Sequence, residues 1–517
     1  MSDETKQAGL SRREFLKGSA AGAGALALVG VAGKKAKAHE VNVPARWDLE
    51  TDVVIIGSGG GMAAAIEALD AGAEVLVLEK MNKLGGETIM CAGVIYGAGT
   101  SVQRAAGIED SPEEMVKYWM ACAHGQADAE VVKAIAYKSG DTIEWLIGLG
   151  CEFPPEELYF SGVEREPEYA AITTPKPRGH KQKKEPGGPL FAGYILYRNL
   201  EKAARERGAR TLLETRALEL VASEKNQVLG VKAESKGKGI SIRAKRGVIL
   251  AAGGFSANPD MRKRYEWYGE RFASPFSFDS GDGIQMGQAL GADLINMNNS
   301  GSYGAGAAPV PAGEKSPISL APRYPSIYVN RRGSRFVNED LSTYLMADLV
   351  RRQEDFMIFQ ILDEDVRKKV EPIPSATKSK LISASTIREL AEKAGIDPER
   401  LEETVQRWNA HAREGKDPEF EKSGVTVGPI QEPPFYAYHL TAPPILSYST
   451  FGGLRIDAKA RVLDVKGKVI KRLYAIGGNT GGGFGRIYPG GGSAICRTLN
   501  LGRIAGENAA SEKPCTS

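Results

Sequence analysis

Beyond residue 50 the chain alternates between two apolar patterns. Unbroken runs, VVII (53–56), VLVL (75–78) and VIL (248–250), stop abruptly at glycine, acid or alanine. A strand with one wet face would alternate, so unbroken runs predict parallel strands covered on both sides. Between the first two lies the Ala-rich stretch GMAAAIEALDAG, which predicts a helix and makes residues 51–80 a βαβ unit. Residues 108–150 and 191–208 carry helical periodicity. Residues 210–250 alternate around the turns EKNQ and SKGKG, the pattern of a β-meander. From about residue 300 the texture changes. SIYVNRRGSRFVNED predicts a hairpin about Arg332-Gly333 and DFMIFQIL a strand. TIRELAEKAGIDPERLEETVQRWNAHAREG predicts two amphipathic helices broken at Ile396-Asp397-Pro398. Short strands return in GGLRIDAKARVLDVKGKVIKRLYAIGG, and an apolar helix follows YPGGG. The simplest layout is an α/β domain made of residues 47–300 and 437–512, with an α+β domain, 301–436, inserted into it.

The first 38 residues do not belong to that pattern. SRREFLK (Ser11–Lys17) carries paired arginines, a 16-residue apolar run follows, and AKA closes the segment at Ala36–Ala38. A charged region, an apolar region and a small-x-small site make an export signal, and Arg12-Arg13 makes it one of the twin-arginine type. The apolar run is short for a spanning helix, which needs about 20 residues. The mature protein is thus expected in the periplasm, or otherwise exported in folded form, without an integral membrane segment. The signal holds seven Lys/Arg and three Asp/Glu; taking its +4 from the chain's +3 leaves −1. No basic bias towards nucleic acid remains. KPRGHKQKK (176–184), in a Pro- and Gly-rich region, reads as a solvated surface loop. The five cysteines, Cys91, Cys122, Cys151, Cys496 and Cys515, form no CxxC or CxxCH, so neither a metal ribbon nor c-type haem attachment is expected, and no metal site is expected elsewhere.

Glycine supplies 61 of 517 residues without any collagen period, which predicts close backbone approaches to something. The first is GSGGGM, between a strand and a helix. Gly57 permits the tight turn, Gly59 lets the backbone approach a pyrophosphate, and the helix N-terminus supplies N–H groups and positive dipole. Glu79, 22 residues after Gly57 at the end of the second strand, is placed for ribose hydroxyls. Met62 stands where a third glycine is usual. A second loop, GGETIMCAG (Gly85–Gly93), and a third, LYAIGGN (473–479), come from distant parts of the chain and suit an extended dinucleotide, FAD. Export agrees with FAD rather than freely diffusing NAD(P)H.

The stretches DVVIIGSGG, EVLVLEK, GGET, GVILAAGGF, GDGIQMGQALGA, VNRRGSRFVNED, GGLRIDAKARVL and LYAIGG, spread over residues 50–510, resemble the flavoprotein family of fumarate reductases and 3-ketosteroid dehydrogenases. The resemblance implies a Rossmann-like FAD-binding domain, with a mixed sheet and β-meander, and an inserted capping domain with substrate held between them. It implies hydride transfer between flavin N5 and a carbon of an activated C=C or CH–CH bond. It places cofactor contacts at Gly57, Ser58, Gly59, Gly60 and Gly61; at Glu79 and Lys80; at Gly85, Gly86, Glu87, Thr88 and Gly93; at Ala217, Ala252, Gly253 and Asp282; and at Gly478, Asn479, Ser493, Ala494 and Ile495.

The two branches differ in substrate chemistry. Where fumarate reductases carry HHTMGG and NRLGGNAI, this chain has YSTFGG (Tyr448–Gly453) and YPGGGSAI (Tyr488–Ile495). The carboxylate-binding histidines and arginine are replaced, and Asn338-Glu339 leads to DLSTY rather than to an arginine. YPGGGSAI resembles the YPGPGGTI of 3-ketosteroid 1-dehydrogenases without a gap. By that resemblance the Tyr488 hydroxyl and Gly492 N–H form an oxyanion hole for a ketone, and Tyr344 is the base. A 4-dehydrogenase-type serine two residues after the tyrosine is absent; Gly490 stands there. Tyr96, Tyr448 and Thr450 are expected on the pocket wall. The expected partners are a small hydrophobic, steroid-like ketone and a separate electron carrier, quinone or cytochrome; the alternative is a reductase for an unsaturated carboxylate.

Overall fold

The unbroken apolar runs form the parallel strands expected of them in a computed structural model. The structure describes residues 43–515, apart from 189–190, 267–268, 270–271, 275, 302–323, 370–380, 423, 441–444 and 447–448. The main sheet has the strand order Arg461–Leu463, Val469–Ala475, Lys238–Leu250, Leu49–Ile56, Val75–Leu78, Arg210–Leu212. All but the first of these neighbours run parallel, with Ile55 opposite both Val77 and Ile249, and Ile249 in turn opposite Tyr474. Val53, Val54, Ile55, Leu76 and Val77 are 0% exposed, as strands covered on both faces must be. The meander forms as Thr215–Ala222 pairs with Val228–Ser235, which pairs with the first half of Lys238–Leu250.

Two helices cover the sheet at the glycine loops, Gly61–Asp70 and the C-terminal Ser493–Ser511. They cross closely because Gly506 presents no side chain: a Cβ there would sit 2.3 Å from the Ala64 carbonyl oxygen. This crossing brings the two helix N-termini, separated by more than 400 residues of chain, to one end of the sheet.

A second sheet, antiparallel, has the order Ile327–Asn330, Ile358–Leu362, Phe435–His439, Leu381–Ala384. Its outer face carries the two helices expected around Asp397, Ile387–Ala394 and Pro398–Ala412, packed through Leu390, Leu401, Val405 and Trp408. Before the second helix, Asp397 caps Arg400 N–H at 3.0 Å and Pro398 opens the first turn. The sheet runs to His439, beyond the expected boundary at 436.

Two sequence expectations are corrected here. The hairpin about Gly333 is only a turn with one bridge, Val329–Arg335. Arg335 is drawn inward instead, to Glu339 (3.0 Å) and Asp417 (2.8 Å), all buried. The basic run 176–184 is not a solvated loop. Gly179–Lys181 is a strand paired with Val94–Tyr96, and Arg178 and His180 are 0% exposed. Arg178 is buried because Asp110, 68 residues earlier, meets it with two hydrogen bonds of 2.7 Å. Among the described residues no helix is long and apolar enough to cross a membrane, and Cys91, Cys122, Cys151 and Cys496 form no disulfide.

Candidate active site

A cavity of about 910 Å³ opens at the ends of the parallel strands, lined at one extremity by Glu79, Lys80, Arg216 and Ala217 and at the other by residues of the helix Thr343–Arg351. The glycine loop lies along it. Gly57 has φ +103°, and a Cβ there would sit 2.3 Å from the Ala251 oxygen, so no other residue fits the turn. Ser58 links both halves of the loop. Its N–H and hydroxyl donate to Glu79 Oε2 (3.1 and 2.6 Å), and its oxygen accepts from Gly85 N–H (2.9 Å). Lys80 bridges to Asp282 at 3.1 Å and Arg216 to the same carboxylate at 2.8 Å. Burial raises the Asp282 pKa, but Arg216 and Lys80 outweigh it, so the carboxyl lies below its usual range.

Several buried polar atoms beside the cavity have no hydrogen-bond partner among the described residues: Glu87 Oε1, Ser493 Oγ, and both side-chain polar atoms of Asn479. Burial drives the Glu87 carboxyl well above the usual range, and repulsion from Asp279 adds to this against the pull of Arg497. Glycine cradles, an acid at the second strand's end and these orphaned groups together fit a dinucleotide with a polar ring system. Gly57–Gly60, Glu79, Lys80, Gly86, Glu87, Thr88, Ala217, Ala252, Gly253, Asp282, Gly478, Ala494 and Ile495 line the cavity. Gly61, Gly85, Gly93, Asn479 and Ser493 stand behind that wall.

At the other extremity Tyr488, Tyr344 and Gly492 come together. The Tyr344 and Tyr488 rings lie 5.2 Å apart, and Phe451 and Phe484 each lie 5.2 Å from Tyr488. The Tyr488 oxygen accepts from Ala494 N–H at 2.8 Å, at the start of the C-terminal helix. The PGGG loop is clamped from behind. Gly491 N–H donates to the Ser161 carbonyl (2.8 Å), Tyr96 N–H to the Gly492 carbonyl (3.3 Å), and Tyr118 hydroxyl to the Pro489 carbonyl (2.5 Å). A Cβ on Gly491 would lie 3.4 Å from the Tyr344 hydroxyl and 3.5 Å from that of Tyr159. Thr450 is on the wall, its hydroxyl oxygen accepting from Phe255 N–H at 3.0 Å. Tyr96 is not on the wall: its phenol is fully buried and donates to Glu164 at 2.9 Å, because Tyr118 and Trp119 pack against its ring. Tyr448 lies outside the described residues.

Tyr159, Asp348, Arg351 and Arg497 are among the wall residues that escaped the sequence reading. Tyr159 comes from the Pro-rich region. Arg497, 3% exposed, lies over the Phe484 ring (4.4 Å) and donates to the Thr480 carbonyl. Burial pulls its pKa down to about 10, against the opposing pull of Tyr488 and Glu87, so it stays charged at neutral pH. Asp348 and Arg351 come from the same helix as Tyr344. A helical spacing of four and seven residues in TYLMADLVR was the available signal.

A βαβ cradle, an acid at the second strand's end and a tyrosine-lined chamber beneath a second sheet define a flavin-dependent oxidoreductase. The chain belongs to the FAD binding domain family, which it matches over residues 52–495, and residues 9–29 match the twin-arginine translocation pathway signal sequence. It is an exported FAD-dependent oxidoreductase of the fumarate reductase and ketosteroid dehydrogenase group. A probable fumarate reductase of Shewanella frigidimarina is 30% identical over 468 residues, 89% of this chain and 75% of that protein. A 4-oxocyclohexanecarboxylate 2-dehydrogenase of Sinomonas cyclohexanicum is 28% identical over 89% of this chain and 93% of its own. The crystal structure of 3-ketosteroid-delta4-(5alpha)-dehydrogenase from Rhodococcus jostii RHA1 with 4-androstene-3,17-dione superposes with a TM-score of 0.77 at 32% identity, covering 90% of this chain and 98% of the other.

Proposed function

We propose that the protein oxidises, or in reverse reduces, the CH–CH bond beside a ketone, with a 3-ketosteroid as the model substrate. The observation that carries this is the Tyr488–Gly492 turn at the head of the C-terminal helix, with the Tyr344 hydroxyl close to Gly491. Tyr488 and Gly492 N–H would hold the ketone oxygen, where negative charge develops as the α-carbon loses its proton. Tyr344 would take that proton; with an ordinary pKa near 10, a phenol needs a cationic neighbourhood to do so. Bound FAD supplies the acceptor for the hydride. The residues at Gly57–Gly60, Glu79, Lys80, Glu87, Asp282 and Gly478 would hold it, and Phe451 and Phe484 keep water from the reacting end. Electrons would leave through a separate carrier, quinone or cytochrome. The relative named for 4-oxocyclohexanecarboxylate supports ketone chemistry outside steroids. The fumarate reductase relatives, with Arg351 and Arg486 on the wall, favour the second reading, reduction of an unsaturated carboxylate.

An anaerobic titration separates them. Adding a saturated 3-ketosteroid to oxidised holoenzyme is expected to bleach the flavin band. If dithionite-reduced enzyme is reoxidised by fumarate-like acids and no ketone bleaches the oxidised form, the second reading replaces the first. No response to either class would leave a flavin protein without C=C chemistry of its own.

A further inference from the structure

Arg497 stands in the second turn of the C-terminal helix, 3% exposed, and lines the cavity. Its guanidinium carbon lies 4.4 Å from the centre of the Phe484 ring, and that ring lies 5.2 Å from Tyr488. It is also attracted to Glu87, in the second glycine loop. A group near both Tyr488 and Glu87 stands where the cofactor loops meet the reacting turn. The ring that exchanges electrons with substrate has to reach the same place.

The protein satisfies this guanidinium poorly. Among the described residues its one hydrogen bond goes to the Thr480 carbonyl at 3.3 Å, its Nε has no partner, and it forms no ion pair. Phe484 offers the face of a ring, which attracts a cation without neutralising it. Glu87 does not neutralise it either. Burial and then Asp279 drive the Glu87 carboxyl towards its protonated form, against the pull of Arg497, and its Oε1 has no partner. Burial lowers the Arg497 pKa to about 10, so the charge persists at neutral pH. A buried charge held this way is stabilised by a ligand that brings the missing acceptor. In so dry a place a fixed cation acts on a neighbouring charge more strongly than in water.

The FAD ring is neutral when oxidised and negatively charged once it holds two electrons and one proton. We infer that Arg497 is the counter-charge for reduced FAD, raising the cofactor's reduction potential and with it the ease of taking electrons from a CH–CH bond. This role is the same whether a ketone or an unsaturated carboxylate is the substrate.

Sulfite tests it without any substrate. Its sulfur electron pair adds to N5 of oxidised flavin and leaves the ring negatively charged, so its affinity reports a fixed cation nearby. Holoenzyme, Arg497→Gln and Arg497→Lys are titrated with sulfite, following loss of flavin absorbance, and their potentials are measured against a reference dye. FAD content shows that each variant is folded. In Arg497→Gln sulfite binding is expected to weaken about 10- to 100-fold, the usual contribution of a hydrogen bond to a charged group. The two-electron potential is expected to fall by about 30 to 60 mV, the same factor converted at about 30 mV per tenfold. Arg497→Lys keeps the charge and is expected to recover most of both. Unchanged sulfite affinity and potential in Arg497→Gln would overturn the role, and turnover lost at the same time would place the guanidinium on the substrate. Equal losses in both variants would mark packing over Phe484 and overturn it as well. The unaltered holoenzyme gives a further check that needs no variant. Reduced with dithionite at mildly acidic pH, it is expected to show the spectrum of anionic reduced flavin, and the neutral form would overturn the role.

Discussion

Tyr488 has its oxygen turned to a peptide N–H at the first turn of a long helix. A hydroxyl that accepts a hydrogen bond there gains acidity from the donor and from the positive end of the helix dipole, so it becomes a better donor to a carbonyl oxygen. Tyr488→Phe keeps the ring between Phe451, Phe484 and Tyr344 but removes that donor. It is expected to lower kcat by about 10²- to 10³-fold, the usual cost of one oxyanion-hole donor, with the flavin spectrum retained. Unchanged kcat with a ketone substrate would remove Tyr488 from the chemistry. The tyrosine was legible because three consecutive glycines after Tyr-Pro have no packing explanation. Arg497 was not: a single arginine in the second turn of an apolar helix reads as a surface residue, and its place over Phe484 depends on a ring thirteen positions earlier. Arg178 was misread for the same physical reason, since its charge is met by Asp110, 68 residues earlier.

At the scale of elements, the reacting turn is a loop held by other loops. Gly162 and Gly490 form a bridge, and a Cβ on Gly162 would lie 1.8 Å from the Pro489 oxygen. Glycine is therefore required at 162 by contact. Gly162→Ala must push the PGGG turn towards the cavity, and overpacking of this kind costs about 1–3 kcal/mol. The expected result is a lower urea midpoint together with a loss of kcat larger than the change in FAD affinity. A fall in stability with kcat untouched would show that the clamp does not position Tyr488. The strands and long helices were legible, since burial on both faces or on one stripe leaves a period in the sequence. The clamp was not, because Ser161 and Pro489 lie in segments without period, and Tyr118, though helical, reaches Pro489 by a single hydrogen bond across most of the chain.

Across the whole molecule, the support behind this turn carries a pH dependence. The strand Gly179–Lys181 pairs with Val94–Tyr96, whose Tyr96 N–H donates to Gly492, so His180 stands two strands behind the site. His180 Nδ1 lies 2.9 Å from the Arg178 carbonyl and so carries the proton, which leaves Nε2 to accept from the Thr100 hydroxyl at 2.8 Å. The neutral ring is thus fully satisfied, and burial lowers its pKa to about 4 from the usual 6.5. Below pH 6.5 the unfolded chain takes up a proton that the folded chain refuses until about pH 4, so stability falls as pH drops through that window and is level above it. The full difference is about 3 kcal/mol. Buried carboxyls whose pKa is raised, such as Glu87 and Glu164, act in the opposite sense, losing stability as pH rises. His180→Gln isolates the histidine: Gln offers one donor and one acceptor but does not titrate. Urea unfolding of holoenzyme at pH values from 4 to 8 is expected to show the unaltered protein losing about 3 kcal/mol more than the variant between pH 6.5 and 4. Parallel curves for the two proteins would mean that His180 is protonated in the folded state and that its bonds to Thr100 and Arg178 do not hold the neutral ring.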